Sequence, residues 1–193
     1  SKRRIYVDIE KIPNSDFRDG ILIELITKEN MASNVTDAAL EKGLPTNLEA
    51  EQFVLGSVLL DDTLFPQVAG SVEAGDFNVE KHRRIFLRMV DLHSRGERIE
   101  YLTLVNELEK HSQLESVDGI AYISSLTDGL PRLDSIDNYL KIVKDKSLIR
   151  RLIFTAQNII NSCIDGGDEV EQLIAEAESA VMRVGDAQLR SGL

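Results

Sequence analysis

Three histidines, one cysteine and a pair of adjacent aspartates are the residues of this 193-residue sequence with the means to do chemistry. His82 and His93 stand on one helix face. Eleven residues at about 1.5 Å of rise put them roughly 16 Å apart, too far to share an ion. Asp76, Asp91 and His111 fall at no recognised ligand spacing, so no metal site is expected. His82 lies within an apolar stripe and reads as a core or core-edge histidine, hydrogen-bonded to backbone. Asp61-Asp62 offers two carboxylates of the kind acid–base catalysis uses. A helix end followed by a cap at Asp62 accounts for the pair more simply. Cys163 is alone, which excludes an internal disulfide and fits a reducing cytoplasm. It reads as a small apolar residue on a helix face. No phosphate loop of the form G-x-x-x-x-G-K-[ST] occurs, no glycine-rich dinucleotide fingerprint follows a strand, and no nucleophile elbow is visible. The expected site therefore has no catalytic, cofactor-binding or metal-ligating residue.

With chemistry set aside, binding is the function class left. The chain carries a net charge of −11, from 22 basic and 33 acidic residues. Gripping a phosphate backbone depends on Lys and Arg displacing counterions, so an acidic domain makes at most weak or indirect contact with DNA. Proteins are the better partners. The longest apolar runs, such as Val58-Leu59-Leu60, fall far short of the roughly 20 residues that span a bilayer. The basic start Ser1-Lys2-Arg3-Arg4 leads into no apolar signal region. One local exception to the acidity is the cluster Lys141, Lys144, Lys146, Arg150 and Arg151. It reads either as a solvated helix face paired with Glu169, Glu171, Glu176 and Glu178, or as a docking surface for an acidic partner, with Lys141, Lys144, Arg150 and Arg151 as the docking charges.

The elements that carry these residues are helices. Residues 1–30 differ: Arg4–Glu10 alternates with β-branched residues, a turn follows at Pro13, and Gly20–Ile26 is a second strand-like run. That stretch holds equal numbers of acidic and basic residues, so the whole charge excess sits in 31–193. Met31 then opens a polar lead-in, 31–46, that looks like an ordinary protein start. Residues 1–30 accordingly read as a fused or upstream extension, or as a genuine β-hairpin-like appendage. From Asn47 the pattern is helical: Asn47 caps, and Glu49 and Glu51 sit in the first turn, where the helix dipole favours acids. Short helices are predicted at Thr63–Val72, Thr103–His111 and Ile120–Leu126. Between them, Val79–Ser94 carries a stripe of His82, Ile85, Phe86, Met89, Val90 and His93.

After Pro131–Ser135 comes the longest periodic run, which includes Leu152, Ile153, Ala156, Ile159, Ile160 and Cys163. Asp165-Gly166-Gly167-Asp168 ends it. A second stripe of Val170, Leu173, Ile174, Ala177, Val181 and Val184 follows. Two such narrow stripes packed only on each other leave apolar surface uncovered, and a second copy of the hairpin is the natural cover. The expected fold is all-α, a globular helical subdomain over 47–130 and a helical hairpin over 134–185, with 186–193 as the start of a linker.

The residues carry a resemblance to a known family. Asn47–Leu60 resembles the opening helix of bacterial replicative DNA helicases of the DnaB type. Asp76-Phe77, His82 and Ile85-Phe86 are similar to that family's "DF…H..IF" helix, and Asp118–Ile123 to its glycine-then-"AYL" turn. Asn138–Ser147 with Arg150–Ile153 resembles its "Y..IV.EKS..R.LI" segment. The match runs in order from about Pro45 to Val184. It departs mildly at Glu100, where Asp is usual, and at Lys144-Asp145-Lys146, which varies on Arg-Glu-Lys. The resemblance implies an amino-terminal collar domain whose ATP- and magnesium-dependent motor lies elsewhere in the parent helicase. It implies hairpins that dimerise, three dimers forming a collar on a hexameric ring, and docking of the primase's C-terminal domain and of a helicase loader. His82 and Phe86 are then structural. The competing reading is a free-standing adaptor or loader without a motor, which the reading frame beyond Leu193 separates from the first. A helical hydrolase would instead need a convergent cleft and turnover.

Overall fold

The computed structural model describes residues 43–130, 136–165 and 169–190. The predicted strand-like segment 1–30 and most of the lead-in lie outside the described residues. Among those described there is no strand. Seven α-helices follow one another: α1 Leu48–Leu60, α2 Phe65–Ser71, α3 Glu80–Ser94, α4 Tyr101–Lys110, α5 Gly119–Ser125, α6 Asp137–Asp165 and α7 Val170–Arg190. Backbone contacts divide the chain into two units. The larger comprises Pro45–Ile159 with Asp168–Leu193. The smaller comprises Ser1–Leu44 with Ile160–Gly167, of which 43–44 and the end of α6 are described.

α1 begins where the side chain of Asn47 accepts the Ala50 N–H at 2.9 Å, satisfying one of the donors a helix start leaves orphaned. Its residues Ala50, Glu51 and Phe53–Val58 are buried nearly all round, so α1 is the central helix of the bundle rather than an amphipathic one. Phe65, Phe77, Ile85, Met89, Leu92, Leu104, Leu108 and Ile123 close around it. Packing them removes enough apolar surface to supply the main driving force for folding.

Several boundaries differ from the sequence expectation. The cap after α1 is Asp61, whose carboxylate accepts from the Thr63 N–H and hydroxyl. Asp62 instead faces Arg98. The element predicted at Thr63–Val72 is a 3₁₀ turn, Asp62–Leu64, running into α2, with Pro66 in its first turn, where no N–H is needed. On α3 the buried set is His82, Ile85, Phe86, Met89 and Leu92. Leu92 replaces Val90, which is exposed, while exposed His93 meets the Phe65 ring at 5.0 Å from the margin. α4 starts at Tyr101, two residues early, because Thr103 joins Glu100 in a capping box. α7 continues to Arg190, through the residues assigned to a linker. Ala187, Gln188, Leu189 and Arg190 are strong helix formers and outweigh the roughly 1 kcal/mol cost of Gly185.

Candidate functional site

Three buried polar groups and one uncovered apolar surface stand out among the described residues. The first group joins α1, α3 and α5. Glu51 is fully buried, and its carboxylate accepts from the N–H groups of Asn78 and Val79, at 2.7 and 3.3 Å, where α3 begins. His82 Nδ1 lies 2.7 Å from the same carboxylate and therefore donates to it. His82 Nε2 lies 2.6 Å from the Tyr122 hydroxyl, which also accepts from Gln52. His82 thus sits in the core as expected, but its partners are side chains rather than backbone. Outside it, Lys81 stands 3.4 Å over the Tyr122 ring and pairs with Asp118. Burial alone would raise the Glu51 carboxyl. The bond from His82 and the two backbone N–H groups outweigh it and hold the carboxyl below its ordinary value.

The second group is Glu107 on α4, buried and gripped from two sides. Arg95 donates to both its oxygens, at 3.1 and 2.8 Å, and Lys110 approaches at 3.4 Å. The bidentate bond from Arg95 lowers its carboxyl. Asp91, Glu107 and His111 bring ligand atoms within 4.8 Å of one another. Arg95 already neutralises the central carboxylate, so the triad reads as an ion-pair network rather than a cation site.

Both carboxyls are depressed, which fixes the sign of a pH prediction. Their stabilisation is complete above the ordinary carboxylate range and is lost as pH falls through the lower folded values. Urea midpoints measured from about pH 6 to pH 3 are expected to fall steeply in the wild type and less steeply in Glu107→Gln. Equal slopes would contradict the assignment.

The third group is centred on Asp76, which has no exposed surface and ends a 3₁₀ turn, Ala74–Asp76, closed by Glu73. Lys144, Ser147 and Arg151 of α6 all donate to its carboxylate. Arg150 donates to its carbonyl at 2.5 Å and to the Pro45 carbonyl at 2.8 Å, and Arg151 also pairs with Glu73. This corrects the reading of the basic cluster. Lys144, Arg150 and Arg151 are not docking charges on a free face, because they are committed to the bundle, with Arg150 only 5% exposed. Their acids are Glu73 and Asp76 rather than those of the second arm. Burial pulls the Arg150 guanidinium below its ordinary value, while the bond to Glu73 raises that of Arg151. Lys141 alone of the four is exposed.

The apolar surface lies on α6 beyond the bundle and on α7. Leu152 is 47% exposed, and Val170, Ile174 and Val181 are also exposed, as is Ala156. Ile153, Ile159, Ile160, Leu173 and Ala177 are half-buried. Sequence spacing missed two residues of this surface, Phe154 at 54% and Met182 at 69% exposed. Both fall off the narrow stripe that the heptad spacing picks out. Cys163 is exposed near the end of α6. No helix among the described residues is long and apolar enough to cross a membrane.

Comparisons with known proteins agree with this arrangement. Residues 43–145 match the family model described as the DnaB-like helicase N terminal domain. The replicative DNA helicase DnaC of Bacillus subtilis (strain 168) is 37% identical over 150 residues, covering 78% of this chain and 33% of the relative. The replicative DNA helicase DnaB of Geobacillus stearothermophilus is 36% identical over 140 residues, covering 72% and 31%. The chain thus spans about a third of the length of these relatives. Among solved structures, the N-terminal domain of DnaB helicase from Mycobacterium tuberculosis superposes with a TM-score of 0.69 at 28% identity, over 73% of this chain and 99% of that one. A DnaB-like replicative helicase, whose structure describes its interactions with primase, gives 0.60 at 25% identity, over 72% of this chain and 31% of that one.

Proposed function

This chain belongs to the family of DnaB-like helicase N-terminal domains, and on that premise we propose that it is the oligomerising and primase-docking collar of a replicative DNA helicase. The observation that carries the reading is the uncovered apolar surface. Ile149, Leu152 and Phe154 on α6, and Val170, Ile174, Val181 and Met182 on α7, are all exposed large apolar side chains. Concentrated on two successive helices, such a surface is what a protein-protein interface leaves open in one copy. α6 and α7 act as the two arms of a hairpin, and a second hairpin covers them. Three such dimers make the collar of a hexameric ring.

The acidic balance of the chain suits a collar that stands over the DNA without gripping it. ATP and magnesium belong to a motor domain of the parent helicase, because no residue pattern in this chain fits a nucleotide phosphate. The fork where such a helicase works puts the chain in the cytoplasm.

Docking is tested by titrating the C-terminal domain of the primase from the same genome into the chain by calorimetry. Saturable binding is expected, weakened by Val181→Glu on α7. No heat at concentrations of about 100 μM, equivalent to an affinity weaker than roughly −5.5 kcal/mol, would remove the primase from the reading.

A further inference from the structure

We propose that Asp76 is a positioning residue: its buried carboxylate clamps the base of α6 to the bundle and so sets the direction in which the apolar arm leaves it. The buried residues of α6 are Leu140, Val143, Ser147 and Arg150, at spacings of three and four along one face. This face changes character partway. Up to Val143 it is held by apolar contacts, with Leu140 and Val143 in the core and Tyr139 stacked on Phe53 at 3.7 Å between ring centroids. Beyond Val143 the bonds of Lys144, Ser147, Arg150 and Arg151 to the bundle centre on Asp76 and Glu73, with one more to the Pro45 carbonyl. After Arg150 no described residue of α6 is buried. Asp76 therefore stands at the point where the helix departs.

The geometry is that of a clamp rather than a single ion pair. One carboxylate oxygen of Asp76 accepts from the Ser147 hydroxyl at 2.7 Å and from Arg151 at 3.1 Å. The other accepts from Lys144 at 2.8 Å and from the Glu73 N–H at 2.9 Å, which ties the clamp to its own turn. Arg150 grips the turn's carbonyl and that of Pro45. Three successive turns of α6, at 144, 147 and 150–151, are thereby fixed in both tilt and rotation. Burying charge in this way contributes little net stability, since desolvation offsets most of the attraction. An apolar contact such as Leu or Val at 147 and 150 would hold the helix as strongly, but without directional bonds it would hold it less uniquely. The polar stretch therefore secures direction rather than strength. The clamp stands on this geometry alone; its value for assembly, presenting every arm of a ring at the same angle, rests on the reading proposed above.

Spin-label distances within one molecule test it. The full chain carrying Cys163→Ser, Glu109→Cys on α4 and Asn158→Cys on α6 is labelled and diluted with unlabelled protein, so that only intramolecular pairs are read. Asp76→Asn keeps the shape and the bond from Ser147 but removes the charge. It is expected to widen the distance distribution roughly twofold while helical content stays that of the wild type. An unchanged width in a folded Asp76→Asn protein overturns the clamp. If that variant does not fold, Lys144→Met with Arg151→Met removes two partly exposed partners and leaves Ser147 and the Glu73 N–H on Asp76. The same widening is expected of it, and an unchanged width overturns the proposal equally. Sedimentation of the unlabelled wild type is read separately: a strict monomer there removes the assembly reading and leaves the clamp result standing.

Discussion

Replacing Gly56 with alanine is expected to cost the bundle about 3 kcal/mol or more, enough to unfold a marginal domain at moderate temperature. A methyl group at that position would lie 2.0 Å from the Leu126 carbonyl oxygen and 2.9 Å from its carbon. The side chain of Leu130, also at 2.9 Å, is able to move aside, but the backbone at the end of α5 is not. Gly56 sits mid-helix in α1, where alanine would ordinarily be preferred by about 1 kcal/mol. The penalty thus has to exceed an intrinsic gain. Gly70 in α2 is the internal control, since a methyl group there meets nothing within 4 Å. Gly70→Ala is expected to stabilise by a few tenths to 1 kcal/mol. Urea unfolding of both variants checks the pair. A Gly56→Ala protein within about 0.5 kcal/mol of wild type would show that α1 and the end of α5 do not approach so closely.

Gly56 also marks how far the sequence could be read. A glycine amid Phe53-Val54-Leu55 and Val58 signals a close approach by some other backbone, yet nothing local says which one. The same holds elsewhere. Asn47 as a cap and α3 with its stripe are legible because local periodicity and capping chemistry decide them. Glu51 looked like a first-turn acid serving its own helix. It is instead swallowed by the core and caps a different helix, a role set by tertiary contact alone. His82 shared that fate, its apolar neighbours showing burial but not the carboxylate and phenol that bond it.

The basic cluster differs from its sequence expectation for a reason of helical phase. Arg150 falls seven residues along from Val143 and three from Ser147, on the face that Leu140 opens, so its helical position points inward. Phe154 lies off the heptad-spaced stripe of the arm. Four residues on from Arg150, it continues the bundle-facing stripe past the point where the bundle ends. That puts an aromatic ring on the arm where no part of the described fold covers it.

The second large effect concerns that arm. Leu152→Glu combined with Ile174→Glu is expected to abolish self-association while leaving the fold intact. Each side chain is about half exposed in a single copy, at 47% and 55%, so charge is tolerated in the monomer. In the pairing proposed, both positions become buried. A carboxylate forced there without a partner costs several kcal/mol, added to the loss of about half of the roughly 1.5–3 kcal/mol that full burial of each apolar side chain contributes. Together they shift the association equilibrium by more than two orders of magnitude. Circular dichroism and the urea midpoint are expected to stay near wild-type values, because neither residue belongs to the bundle core.

Sedimentation equilibrium of the wild-type chain beside this double variant, over a concentration range from about 1 to 100 μM, tests the collar reading most directly. The account predicts a wild type whose mass rises to that of a dimer or a larger even assembly, and a variant that stays at the 21.6 kDa of one chain throughout. A wild type that remains monomeric at the highest concentration, or a double variant that associates as well as the wild type, would contradict it.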